Sequence, residues 1–158
     1  MNLRYCIGQG EPSVLITDAA LATMLRFRQA KLRDKEAGGQ LFAQFRGSDV
    51  VIVEATGPTL LDRRSRYRFE PNRLLQRRQI RKKHASGLHF VGDWHTHPEE
   101  QAKPSGDDVA SMRDCFRRSR HDLKAFVLII VGIAPPPEGW YVSLVTADGA
   151  QPLLAVKS

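Results

Sequence analysis

The residues from Gly92 to Asp108 read GDWHTHPEEQAKPSGDD, and they follow a segment, His89 to His95, that has the character of a strand. Successive side chains of a strand point to opposite faces, so His95 and His97, two apart, share one side. Their separation of about 6.6 Å lets both converge on one ion at the ~2.0–2.1 Å reach of zinc to imidazole nitrogen. A catalytic zinc usually takes three protein ligands and keeps one position open, and Asp108 is the third candidate. Pro98 turns the chain immediately after His97, Pro104 ends the loop, and Ser105 opens a helix that returns Asp108 toward the histidines. Ser105 and Asp108, three apart, lie on the same face of the first helical turn. The serine hydroxyl has two available tasks, capping the helix or donating to the oxyanion formed when a carbonyl is attacked. A lone His-x-His is common by chance and a lone Ser-x-x-Asp is more often a capping box. It is their combination across a proline-bounded loop that points to a metal site.

Outward from this stretch, VLIT (14–17) reads as a short strand, and Thr17 or Asp18 caps a helix predicted to reach about Asp34. Gly38 and Gly39 end that helical run. GQLFAQF alternates as a half-buried strand and pairs with DVVIVEA across the turn Gly47-Ser48. Ser65 to Phe69 is a third strand candidate. Glu70-Pro71-Asn72 starts a basic helix to about Ala85, with Pro71 in its first turn and Gly87 closing it. After the Ser105 helix, which runs to about Arg118 with acids first and bases last, come the strands AFVLIIVGI and WYVSLVT, and a short final strand near Leu153 to Val156. The order predicts one α/β domain over 1–158, a mixed sheet flanked by helices.

The 158 residues suit a single core, and 42% hydrophobic with 26% charged residues is the balance of a folded soluble chain. The start, MNLRYCIGQGEPS, lacks the apolar core of a signal peptide, and Ala125–Ile133 is too short to span a bilayer. No membrane association is expected. Cys6 and Cys115 form no C-x-x-C pair, which points to the reducing cytoplasm rather than to a disulfide scaffold. The net charge of +7 is concentrated in Arg63–Lys83, which holds ten basic residues and one acid, Glu70. Such a segment attracts acidic partners, protein or nucleic acid, or is simply a solvated helix face.

The motif H-[ST]-H-P, six residues, then S-x-x-D resembles that of the JAB (MPN-plus, Mov34/PAD-1) metalloprotease family. It reads here as His95-Thr96-His97-Pro98, EEQAKP, Ser105-Gly106-Asp107-Asp108, with full agreement in spacing. A glutamate completes the family site; on chemistry alone Glu54, Glu99 and Glu100 are rivals, and the resemblance selects Glu36, followed by Ala-Gly-Gly-Gln-Leu. Ala43 stands where many members have glycine. The likeness runs from about Thr17 to Val145 and implies a cytidine-deaminase-like fold. A true deaminase is disfavoured, since its His-x-Glu and Pro-Cys-x-x-Cys ligands are absent.

The resemblance implies one zinc ion per chain on His95, His97 and Asp108, with Glu36 as proton carrier, its pKa raised by burial, and Ser105 steadying the oxyanion. It also implies a deubiquitinase-like peptidase or isopeptidase that cuts after the extended C-terminal tail of a ubiquitin-like or conjugated protein, held as an added strand along an edge. The form GDWHTHPE and the RSR-x-x-F-x-P segment look most like bacterial members from anti-phage CBASS operons, which reverse conjugation of a cyclic-nucleotide synthase. C-terminal processing of a sulfur-carrier protein is the alternative within the family. Outside it stands a basic nucleic-acid-binding metal protein, disfavoured because the basic segment interleaves only Tyr67 and Phe69 and too few carboxylates converge for a two-metal nuclease. His84, His89 and His121 fit no ligand pattern, Trp94 and Trp140 read as core, and Cys115 reads as buried and inert. The conjugated protein, the residues flanking the cut and the oligomeric state leave no mark in the sequence.

Overall fold

The apolar run Ala125–Ile133 becomes strand β8 (Phe126–Val131), buried at every position, and the fold is built around it. A computed structural model describes residues 2–7 and 13–156, so the span 1–158 read as one domain extends beyond the described residues at 1, 8–12 and 157–158. In chain order the elements are β1 (Leu3–Cys6), β2 (Ser13–Ile16), α1 (Asp18–Arg26), β3 (Gly38–Arg46), β4 (Asp49–Ala55), β5 (Arg63–Ser65), β6 (Arg68–Glu70), α2 (Arg73–Ala85), β7 (His89–Thr96), α3 (Gly106–Arg118), β8, β9 (Trp140–Thr146), β10 (Gly149–Pro152) and β11 (Leu154–Ala155). Among the described residues nine strands form one sheet, ordered β10-β9-β8-β7-β3-β4-β2-β1-β11, and β5 and β6 pair by themselves. The sheet is mixed: β7 runs parallel to β8 and β2 to β4, while the other neighbours are antiparallel. No helix among the described residues is long and apolar enough to cross a membrane.

Alternation along β8 separates two cores. Val127, Ile129 and Val131 join Met24 and Leu21 of α1 on one face, whereas Phe126, Leu128 and Ile130 meet Met112 of α3 on the other. The α/β sheet with helices on both faces is therefore the architecture that the sequence predicts. A bulge in β7 sets which side chains face which helix. The β3–β7 register slips so that Leu41 opposes Gly92 and Phe42 opposes Phe90, and Val91 and Trp94 both enter the α1 core. Asp93 and His95, on the pleats between, then face α3. A Cβ on Gly92 would lie 1.8 Å from the Val127 carbonyl oxygen, so only glycine fits this crossing.

Several expectations are corrected. α1 ends at Arg26, not near Asp34, although 28–34 are acceptable helix formers. The cause is tertiary: Gln29 is drawn inside, where its amide donates to the carbonyls of Arg66 (2.8 Å) and Asp34 (3.2 Å) and accepts from Thr96 Oγ1 (2.8 Å). Gly38 and Gly39 open β3 rather than closing a helical run. The first six residues of β3 are buried on both faces instead of alternating, because β3 lies between β4 and β7 in the middle of the sheet. Ser65–Phe69 is not one strand but the end of β5, a turn at 66–67 and the start of β6. Pro71 lies just outside α2, whose N-cap is Asn72, its Oδ1 accepting from the Leu75 amide at 3.1 Å. β1 and β10 were not expected: the first is four residues long, and the second, GAQP, has no β-branched residue.

Candidate metal centre

Both imidazoles come from the end of β7. Thr96, between them, is fully buried on the opposite face, where its hydroxyl donates to Gln29 and accepts from the Ala37 amide at 3.0 Å. His97 lies one residue past the strand, yet its amide still donates to the Val131 carbonyl at 3.0 Å, so the pleat continues and the rings share a side. Their Nε2 atoms are 3.2 Å apart.

The loop after Pro98 is pinned at several points. Glu99 and Glu100 carbonyls accept from Ile133 (2.9 Å) and Ala134 (3.0 Å), and the Ala102 amide donates to Gly139 (3.0 Å). The loop delivers α3 with a capping box: Ser105 Oγ accepts from the Asp108 amide at 3.1 Å, and the Ser105 amide donates to Asp108 Oδ2 at 2.8 Å. So fixed, the Asp108 carboxylate spans the two rings, Oδ1 lying 3.1 Å from His95 Nε2 and Oδ2 3.2 Å from His97 Nε2.

Glu36 enters from the other side. Its amide donates to the Ser65 carbonyl (2.7 Å) and its carbonyl accepts from Arg64 Nε (2.9 Å), so the β5–β6 ribbon clamps its backbone. The two glycines after it allow close packing: a Cβ on Gly39 would fall 1.8 Å from the Thr56 carbonyl oxygen, which also accepts from Trp94 Nε1. Buried Glu36 thereby presents an oxygen that lies within 4.8 Å of ring nitrogens of both His95 and His97. Among Glu36, Glu54, Glu99 and Glu100, it is Glu36 that joins this cluster. Glu36, His95 and His97 bring one carboxylate and two imidazoles within reach of a single ion, and the Asp108 carboxylate lies against both rings, a donor set that suits a divalent cation such as zinc.

The two carboxylates are driven apart in acidity. Burial pushes Glu36 above the usual carboxylate range; His95 and His97 pull it down, and Asp108 pushes it up again. For Asp108 burial acts in the same upward sense, but the bonds from His95 and His97 outweigh it and hold the group far below the usual range. Burial lowers His97, yet its bonds to Asp108 and Glu99 bring it to about 9.

Glu99, weighed from the sequence only as a rival to Glu36, has a different place. Its Oε1 lies 3.1 Å from His97 Nδ1 and accepts from the Lys103 amide at 2.9 Å. A carboxylate only accepts, so Nδ1 carries hydrogen, and a cation that displaced the Nε2 proton would find the ring already held in the tautomer that offers Nε2. Replacing Glu99 by Ala is expected to weaken zinc uptake about 10- to 100-fold, with Glu99→Gln intermediate because it keeps an acceptor. Competition against a chelator of known affinity measures this, and unchanged uptake in Glu99→Ala would show the bond to be incidental.

The cluster stands in an open cleft of about 1240 Å³ bounded by β6, the first turn of α2 and the first half of α3. Asp93 continues the row of His95 along its floor. Its Oδ1 is shielded from solvent and has no hydrogen-bond partner among the described residues, and burial, against Arg73 and His95, pushes the carboxyl up to about 6. Cys115 also lines the cleft; it is half-buried rather than buried, and burial first and the charge of Asp93 second push its thiol to about 11. Trp94 and Trp140 are core residues. His121 packs against Phe116 and Phe126, and His84 and His89 lie outside the cleft.

A family model described as prokaryotic homologs of the JAB domain matches residues 18–143. A Pseudomonas aeruginosa protein named CD-NTase/cGAS isopeptidase is 34% identical over 134 residues, covering 83% of this chain and 82% of its own. A Vibrio cholerae protein of the same name is 29% identical over 122 residues, covering 75% and 76%. In shape the chain is similar to the solution structure of a protein from Desulfitobacterium hafniense, with a TM-score of 0.62, 24% identity and 87% of each chain covered. The matched span opens at the first residue of α1, closes within β9, and contains Glu36, His95, His97, Ser105 and Asp108.

Proposed function

The chain belongs to the prokaryotic JAB-domain family, and from that premise we propose that it is a zinc-dependent isopeptidase, acting as one domain in the cytoplasm, that releases a cyclic-nucleotide synthase from its conjugates in bacterial anti-phage defence. One observation carries the chemistry: around a pair of convergent imidazoles stand two carboxylates, one held ionised and one pushed toward its protonated form. Environments that separate two carboxylates in this way assign one as fixed anion and the other as proton carrier. The name of the Pseudomonas and Vibrio relatives supports the substrate class.

In this reading His95, His97 and Asp108 hold the cation, which when bound supplies Lewis acidity for attack by water at neutral pH. Glu36, beside the cation but not needed to hold it, takes a proton from the attacking water and returns it to the departing lysine amine. A raised pKa suits both halves of that task. Ser105 accepts from the Asp108 amide, and a hydroxyl that accepts still has its own proton to give, which it turns to the oxyanion. For the substrate's tail, β6 offers a strand edge: it pairs with β5 on one side and lines the cleft with Arg68, Phe69 and Glu70. An extended tail added there passes the cluster.

The test incubates the full chain with a synthase joined through its C-terminus to a second protein. Cleavage that stops with chelator and returns with zinc is the expected result. Release of C-terminal residues from a sulfur-carrier protein, with the synthase conjugate left intact, would move the assignment to the other branch of the family. Inertness toward both in saturating zinc would remove it.

A further inference from the structure

The basic segment Arg63–Lys83 divides into two parts once its contacts are traced. Arg64 and Arg66 are committed to carbonyls of the 31–36 loop, Arg68 pairs with Glu70, and Lys83 bonds Glu54 at 2.6 Å. The outer face of α2 has no such employment. Arg73, Arg77 and Arg81 form one row at four-residue spacing, and Leu74, Arg78 and Lys82 form the next; all six are exposed, and no residue of α2 is buried. Among the described residues the one side-chain hydrogen bond within this face is from Arg73 to Gln76 at 3.0 Å, and Arg73 alone of the row also acts on Asp93. The helix contains no acid. Like charges four residues apart repel, so each row weakens the helix that carries it, and nothing packed against the face compensates.

The face also has a direction. Arg73 and Gln76, in the first turn, line the cleft that contains His95 and Asp108, and thirteen residues of helix carry the charge about 20 Å outward from it. That is too far for the few tail residues beside the scissile bond. We propose that the outer face of α2 docks an acidic surface on the folded body of the protein whose linkage is cut. The inference rests on the isopeptidase reading, because only then does a protein present itself at the mouth of the cleft. A nucleic acid fits the same face less well: α2 offers no Phe, Tyr or Trp on which bases stack, and exposed Leu74 has no counterpart on a phosphate backbone. A protein surface satisfies both the cations and the leucine at once.

The experiment compares the wild type with the triple variant Arg77→Glu, Arg78→Glu, Arg81→Glu on two zinc-supplied substrates: the complete synthase conjugate, and a short peptide holding only the tail and its acceptor lysine. The KM for the conjugate is expected to rise at least tenfold with kcat unchanged, while hydrolysis of the peptide is unaffected. The wild type's kcat/KM on the conjugate should fall as salt is raised, with the variant much less sensitive. The corresponding Arg→Lys triple, which keeps the charge, should restore wild-type KM and shows that the effect is not misfolding. Equal losses on both substrates, no loss on either, or tighter binding to duplex DNA than to the conjugate would overturn the proposal. Binding of the conjugate, measured apart from turnover, reads the docking face even where cleavage fails: lost binding in the Glu variant with no cleavage by the wild type sinks the isopeptidase reading and leaves the surface standing.

Discussion

Glu36→Gln is expected to lower turnover of the conjugate by about 10²- to 10⁴-fold, the range over which a positioned general acid–base group contributes, while zinc uptake stays close to that of the wild type. The two halves separate the two places a carboxylate can occupy beside His95 and His97. If Glu36 were a ligand, its amide replacement would release the metal and lose activity for that reason. If it moves the proton, the metal stays and only the chemistry stops. The proposed mechanism takes the second, although Glu36, His95 and His97 themselves lie close enough to share an ion. The Asp108 carboxylate lies against both Nε2 atoms at 3.1 and 3.2 Å and is locked by the cap of α3, whereas Glu36 sits within 4.8 Å of ring nitrogens with burial opposing its charge. Burial also sets the stability effect: an uncharged amide there escapes the cost of an enclosed anion, so Glu36→Gln should melt no lower than the wild type in the presence of chelator. Turnover within threefold of the wild type, or a metal content that falls in step with activity, would remove Glu36 from the proton-transfer role.

What the sequence reveals of this site, and what it hides, follows from how local each determinant is. His95 and His97 are two apart on one strand, and Ser105 and Asp108 three apart on one helical turn, so period alone places each pair. Pro98 and Pro104 leave the loop few other paths. Glu36 is brought in over some sixty residues by contacts with no sequence signature: the buried amide of Gln29, the Thr96 hydroxyl, the Arg64 guanidinium and the Ser65 carbonyl. Chemistry alone left it level with three rivals, and the family pattern separated them. The same network ends α1 early, since a glutamine that finds three partners inside outweighs the modest propensity of the residues after Arg26. Alternation failed at β3 because a strand covered on both faces has no polar side to show. The bulge at Val91, which decides that His95 faces α3 rather than α1, rests on a single glycine and a backbone crossing invisible in the chain.

Asp108→Asn is expected to weaken zinc binding by more than about 100-fold, since a ligand counts for more than the outer partners whose loss costs 10- to 100-fold; activity falls with it. The substitution also reaches the fold. Half of the capping box is the Asp108 carboxylate accepting from the Ser105 amide at 2.8 Å. The asparagine oxygen still accepts there but without charge, so the cap is weakened by less than the ~1 kcal/mol of a removed one, and the lost charge-assisted bonds to the rings add to that. The pH dependence identifies the source. Asp108 is held below the usual carboxylate range, so its contribution is present above an unfolded pKa of 3.8 and fades as pH falls below it. His97 is raised from 6.5 to about 9, so its contribution is complete below 6.5 and is lost as pH climbs through 9. The gap in Tm between the wild type and Asp108→Asn, measured in chelator, should therefore be widest between roughly pH 4 and 6.5 and close toward pH 9 and above. A gap that stays constant across that range would mean that the cap alone, and not the pairing of Asp108 with the imidazoles, stabilises this corner of the molecule.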